Sequence, residues 1–312
     1  MRITPKTLPD YSSGHDPSCG DVATRTAHGR FLVKSPWRPT QRAAPSVLVR
    51  SALFTPQSRY NRFLTDEQIA SNNGVMLSGT GTVLSMLDEE VWMLVCHLAR
   101  EGNPVRFKLR QFIRDLGRAR GGNATAGIRA SLERLSKFTI ALDVLNKPNV
   151  FYPENPPDSY HYHGRLIDTL TWRDAADPRE PLDWDSAIEL NPALSVLFEP
   201  RRRTIFDGRR LKIGHNPVAL WIYSQIRSHK LMLPLPPRYF HRLSRNKSTL
   251  PEFTTALESA FLLLKELHLI HGGEIRNGNV FVQREAPKIP VRTPSAGRDL
   301  DEDIDNQPDS WS

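Results

Sequence analysis

The residues best spaced for bond-making chemistry are His161 and His163, on either side of Tyr162. On a strand, side chains at i and i+2 point the same way, so two imidazoles at this spacing could hold a divalent metal. A metal held this way, working with a nucleophilic tyrosine, can cut a phosphodiester backbone, and Tyr223 is the tyrosine to consider. No carboxylate cluster accompanies the pair, and Tyr223 falls within an apolar helical pattern. Ordinary residues of a strand hairpin are therefore the simpler reading of the two histidines, and no metal site is expected. No G-x-x-x-x-G-K-[ST] run occurs, so Gly79 and Gly81 read as turn glycines rather than a phosphate cradle. No cofactor and no enzymatic activity are expected.

A second kind of chemistry is hydrogen bonding to a polyanion. The formal charge is +8, from 42 basic and 34 acidic residues. The excess is concentrated: between Arg201 and Lys247 stand twelve basic residues against one acid, Asp207. Solvated faces usually mix both signs, so a skew of this size points to double-stranded DNA as the partner. The bland alternative is that the charges only keep the chain soluble. Lysines and arginines would neutralise phosphates while short polar side chains read base edges. The base-reading candidates are Thr125, Arg129 and Glu133 in the first half and Thr254, Thr255 and Glu258 in the second. Candidates for the phosphate backbone are Arg118, Arg120, Lys137, Arg201, Arg202, Arg203, Arg209, Arg210, Lys212, Arg242, Arg245, Lys247 and Ser248. Arg276 and Asn277 would reach the adjacent minor groove. For Glu258 the competing reading is a charge that merely faces water.

Those side chains need elements to carry them. In Ser248–Leu269 the residues Phe253, Leu257, Ala260, Phe261, Leu264 and Leu267 line one side of a helix, capped by Ser248 or Thr249 with Pro251 in the first turn. Glu274–Arg276 and Asn279–Gln283 read as strands joined by Asn277-Gly278, a dipeptide that tolerates positive φ. A helix running into such a ribbon is the layout of a winged helix-turn-helix, and the chain offers it twice. The first copy starts with a helix capped by Asp88, with Glu89 and Glu90 in its first turn and Val91, Leu94, Val95 and Leu98 on its apolar side. A β-step at Val105–Phe107 follows, then a helix on Leu109–Leu116 ended by Gly117, a third helix capped by Asn123, and a strand from Thr139 to Leu145. Tyr160–Trp172 returns to pair with that strand, and Gly74–Val83 reads as a hairpin. The second copy begins at Asn216-Pro217, with Leu-Pro turns in place of the β-step.

The expected fold class is α+β: two tandem winged helix-turn-helix domains with disordered N- and C-terminal tails. The divisions are a flexible arm over 1–45, a first domain over 46–173, a linker region over 174–200, a second domain over 201–286 and an acidic tail over 287–312. Cys96 reads as a small core residue and Cys19 lies in the arm, which excludes a disulfide framework. No run approaches a membrane span and no signal peptide is evident, so a cytoplasmic protein without membrane contact is expected.

Four stretches in order, SVLVRSALF (Ser46–Phe54), DEEVWMLVCHLAR (Asp88–Arg100), VRFKLRQFIRDLG (Val105–Gly117) and SLERLSKFTIAL (Ser131–Leu142), resemble the TrfA-type plasmid replication initiators. The resemblance implies a bacterial protein with two winged helices that binds repeated origin sites (iterons), opens the origin and recruits a host initiator, a replicative helicase and a sliding clamp. It further implies plasmid copy control and exchange between homodimer and monomer. The sequence departs from the family at the clamp-binding peptide: Arg50–Phe54 lacks the glutamine of Gln-Leu-x-Leu-Phe. Two other functions fit the same residues: a transcriptional repressor without a role in replication, and a metal-dependent nickase built on the histidine pair.

Overall fold

The computed structural model describes residues 33, 36–57, 62–71, 74–100, 102–119, 121–144, 160–173, 184–229 and 232–284. Arg120, the insertion at 146–159, the charged stretch at 174–183 and most of both tails lie outside the described residues.

The chain runs β1 (Gln41–Pro45), α1 (Ser46–Val49), β2 (Phe54–Thr55), β3 (Phe63–Gln68), β4 (Val75–Thr82), β5 (Leu84–Ser85) and α2 (Met86–Ala99). It continues with β6 (Val105–Phe107), α3 (Leu109–Asp115), α4 (Gly122–Lys137), β7 (Thr139–Val144), β8 (Tyr160–Arg165), β9 (Thr169–Trp172) and β10 (Ser186–Glu189). After a 3-10 segment at Pro192–Phe198 come β11 (Arg203–Asp207), a second 3-10 segment at Gly208–Ile213, α5 (Pro217–Ser228), α6 (Pro237–Ser244), α7 (Leu250–Glu266), β12 (Ile270–Arg276) and β13 (Asn279–Arg284). The order helix, β-step, helix, helix, strand, strand therefore occurs at α2–β8 and again at α5–β13. In the second copy the Leu-Pro segment supplies the β-step as a single bridge from Leu235 to Val280.

Several sequence expectations change. The arm does not extend to residue 45: Val33 and Trp37 are buried, and β1 pairs antiparallel with β11 across the two halves. Trp37 donates its indole N–H to His97 Nδ1 at 3.0 Å and stacks on Phe198, which ties this segment to the core. The region expected to be a linker is built in from Trp184 onward. There β10 sits between β6 and β9, and Leu194, Leu197 and Phe198 are buried. Trp172 belongs to this sheet, so the segment expected to pair with β7 divides, with β8 on β7 and β9 on β10.

Gly74–Val83 is one strand, not a hairpin. β4 lies between β3 and β7 in the order β3-β4-β7-β8. Its glycines make room rather than a turn: a Cβ at Gly79 would lie 2.8 Å from the Phe138 ring, and one at Gly81 equally close. The aromatic ring at the end of α4 thus packs directly on strand backbone.

Asp88 is not the cap of α2. Ser85 is, with Asp88 three residues on, accepting from the Ser85 backbone N–H at 2.7 Å in a capping box. The helix is buried on nearly every side, including Val91, Trp92, Met93, Leu94, Val95 and Cys96, so its stripe is wider than the sequence pattern suggested. Likewise α4 is capped by Gly121, with Asn123 exposed inside its first turn.

Candidate nucleic-acid interface

The exposed end of the second half is assembled by short-range chemistry. Thr249 caps α7, accepting from Glu252 N at 3.5 Å while the Glu252 carboxylate accepts from Thr249 N at 2.8 Å. The Thr249 backbone N–H, followed by the Thr249 hydroxyl, holds the Glu252 carboxyl below its ordinary value. Phe253, Leu257, Ala260, Phe261 and Leu264 are all buried, as the period predicts. Phe253 packs edge-on against Trp221 of α5 and lies against His241 of α6, fixing all three helices around one ring. Gly273 lets β12 close on α7, since a Cβ there would meet Phe261 at 2.7 Å. The ribbon turns at Asn277 (φ 50°) and Gly278 (φ 72°), both in the left-handed region that this dipeptide accepts.

Between the starts of α6 and α7 and the ribbon turn lies an open cleft of about 610 Å³, lined by Pro236, Pro237, Arg238, Leu250, Thr254, Gly278 and Asn279. A second hollow along α6 is lined by Pro236, Arg238, Tyr239 and Arg242. Thr254 is half-buried, and Thr255, Glu258 and Ser259 are exposed on the outward side of α7. Arg242 and Lys247 are exposed beside it, as are Arg276 and Asn277 on the ribbon. Arg276 lies over the Phe281 ring at 4.8 Å and pairs with Glu274 at 3.5 Å. Arg238 was not among the site residues expected; its signal was its place after Pro236-Pro237, at the first turn of a helix.

Several other predicted cations have partners within the protein, and one of them is buried. Arg210 is 3% exposed, ion-paired with Glu89 of α2 and donating to Ser224 Oγ of α5 at 2.6 Å. It is a joint between the halves, not a phosphate contact. Burial pushes the Glu89 carboxyl up, against the pull of the Arg210 guanidinium. Arg118 pairs with Glu90 at 3.1 Å and approaches His215 Nδ1 at 3.3 Å. Arg203 donates to the Phe198 carbonyl at 3.0 Å and lies over the Trp37 ring, Arg202 pairs with Glu199, and Arg209 pairs with Asp207. Arg245, in the left-handed region at φ 52°, pairs with Glu67 of β3. A predicted phosphate ligand thus links α6 to the first half. Ser248 donates its backbone N–H to Asn246 at 2.9 Å, and its carbonyl contacts His241 Nε2 at 2.7 Å. Arg201 and Lys212 are exposed.

In the first half, Asp88 is fully buried and accepts from Ser131 Oγ at 2.6 Å and Arg134 Nη2 at 2.8 Å, setting α4 against α2. Asp88, Glu89 and Glu90 therefore each take a different arginine, from α4, from the second half and from the link between α3 and α4. Helix-start electrostatics alone predicted none of these partners. On the outer side of α4, Glu133 and Lys137 are exposed, and Thr125 donates its hydroxyl to Gly121 O at 3.2 Å. Arg129 is exposed, with its guanidinium 4.9 Å from the Trp172 ring centroid.

The nickase residues do not come together. His161 is exposed and bonds Asp143 at 2.7 Å, and His163 faces Ala141 across the β7–β8 pair. Tyr223 is 1% exposed within α5, beside Phe206. Among the described residues no group of three or more His, Cys, Asp or Glu is placed to hold a metal, and no helix is long and apolar enough to cross a membrane.

The fold is similar to that of RctB domains 2-3, with a TM-score of 0.51 at 13% identity over 75% of this chain and 94% of that chain. A selenomethionine-derivative structure of RctB domains 2 and 3 aligns over 70% of this chain and 84% of that one at 15% identity, with a TM-score of 0.47. No family model and no curated protein sequence matches the chain. The likeness is one of fold, a winged-helix-like arrangement of helices and strands.

Proposed function

We propose that the chain is a DNA-binding replication initiator with two tandem winged helix-turn-helix modules, α2–β8 and α5–β13, that lie along one duplex. The observation that carries this reading is the exposed end of the second module. There Thr254 of α7, Gly278 and Asn279 of the ribbon and the cation Arg238 line one open cleft, Arg238 and Arg242 line the hollow along α6, and Lys247 is exposed in the link before α7. In a winged helix this is the side on which the third helix enters the major groove and the ribbon reaches the adjacent minor groove. The ordered resemblance of Ser46–Leu142 to TrfA-type initiators supports replication over transcriptional repression alone. On this reading the partner is a plasmid origin carrying repeated sites. The host initiator and replicative helicase are recruited in a bacterial cytoplasm, a sliding clamp is not assigned because Arg50–Phe54 departs from the clamp-binding peptide, and copy control works through a dimer-to-monomer exchange.

The test has two stages. A footprint of the purified full chain over DNA flanking its own gene should protect repeated sites, each longer than one helical turn. A plasmid carrying only those repeats should then be maintained in cells when the chain is supplied. Protection without maintenance would favour the repressor, and no protection would sink both readings.

A further inference from the structure

We infer that α7 reads its half of the site through exocyclic amino hydrogens, adenine N6 or cytosine N4, rather than through the guanine acceptors that DNA-binding helices most often engage. The inference rests on the initiator reading above and concerns the chemistry of its recognition surface.

It follows from where the hydroxyl protons go. Thr254 donates to Leu250 O at 2.8 Å, Thr255 to Pro251 O at 3.2 Å and Ser259 to Thr255 O at 3.0 Å. A hydroxyl has one proton to give and two lone pairs, so each of these groups turns only acceptor capacity outward. Glu258, between them and exposed, is an acceptor as a carboxylate. The outward side of the first turns of α7 thus offers oxygen lone pairs and no side-chain donor. Lys265, the single cationic residue of the helix, lies in its last turn, about 16 Å from Thr254 at the helical rise.

Base edges divide along the same line. In the major groove guanine presents only acceptors, cytosine an amino donor, adenine an amino donor beside its N7 acceptor, and thymine its O4 acceptor and a methyl group. An acceptor-only surface is matched by the amino groups and left unpaired against guanine. Leu250, exposed and lining the cleft beside Thr254, adds apolar surface suited to a thymine methyl. The first half differs, because Arg129 on α4 brings donors to the corresponding side.

The experiment uses the full chain on a duplex chosen from a random pool. Adenines are replaced one at a time by purine nucleoside, which lacks the N6 amino group. Cytosines are replaced by 2-pyrimidinone nucleoside, which lacks the N4 amino group, and guanines by 7-deazaguanine. At some amino positions the wild-type chain should lose roughly 5- to 100-fold in affinity. Thr254→Val with Thr255→Val, which keeps the shape and removes two of the acceptors, should lose sensitivity at a subset of those amino positions, leaving the ones read by Glu258 or Ser259. Glu258→Gln, which adds an amide donor, should shift preference toward acceptor-bearing purine edges. If the valine variant differed from wild type only at 7-deazaguanine positions, or nowhere, the inference would be overturned and the initiator reading would stand. If no duplex were enriched at all, both would fall.

Discussion

Arg210 and Glu89 form an ion pair with both side chains almost completely buried, joining the segment before α5 to the start of α2. Ser224 Oγ accepts a second bond from the same guanidinium, at 2.6 Å. Removing one member leaves a buried charge without its partner, which costs about 3–5 kcal/mol. Arg210→Ala should therefore lower the unfolding free energy by about that amount in urea titration, whereas Lys212→Ala, exposed two residues away, should change it by less than about 0.5 kcal/mol. Replacing both members of the pair with apolar residues, Arg210→Met with Glu89→Leu, should recover most of the loss.

The exposed cations predict a different signature. Specific binding should weaken with salt at a log-log slope of about −0.9 for each phosphate neutralised. Arg242→Ala and Lys247→Ala should each reduce the slope by about one and weaken all sequences alike. Lys247 is the sharper test, since it stands in the link immediately before α7. A slope unchanged in both variants would remove the second module's cations from the phosphate backbone.

Phe138 and the β4 glycines make a packing prediction. Gly79→Ala places a methyl 2.8 Å from that ring and 2.9 Å from Ile69, so the core must shift. A loss of about 1–3 kcal/mol is expected for overpacking of this kind. Gly127→Ala, with nothing within 4 Å of its Cβ and an ordinary helical backbone, should instead be neutral or stabilising. Thermal unfolding of the two variants separates the cases.

His97 predicts how the fold responds to acid. Its Nδ1 accepts from Trp37, and burial, followed by the nearby Arg42 and Arg100 charges, pushes its pKa down to about 3. In the unfolded chain an ordinary histidine binds a proton near 6.5, so below that pH the unfolded state takes up more protons than the folded one. Stability should therefore fall progressively between about pH 6.5 and pH 3. His97→Gln, which can still accept from the indole, should show a shallower fall in the urea midpoint over the upper part of that window. Equal slopes in the two proteins would show that His97 is not the group responsible.

Much of the fold was legible because it is local. The α7 stripe, the Thr249 cap and the Asn277-Gly278 turn depend on neighbours within a few residues, and period and turn chemistry record them directly. The same holds for Leu109–Asp115 ending before Gly117, whose φ of 68° suits glycine. The polar outward side of α7 was also legible, because it is the complement of the apolar stripe. What its hydroxyls can do was not, since that depends on where each proton points.

The sequence by itself determined the order of elements, the buried side of α4 and α7 and the presence of a concentrated positive charge, because each follows from residue type and short spacing. Only the tertiary structure decided which cations remain available to a ligand. Arg118, Arg210 and Arg245 read as surface charges in a basic stretch, yet Glu90, Glu89 and Glu67 hold them from 28, 121 and 178 residues away along the chain. An ion pair carries no periodic signature when its members are that distant, so the division between structural and exposed arginines emerges only when the chain folds: Arg118 is fixed within the first half, and Arg210 and Arg245 are fixed where the two halves meet.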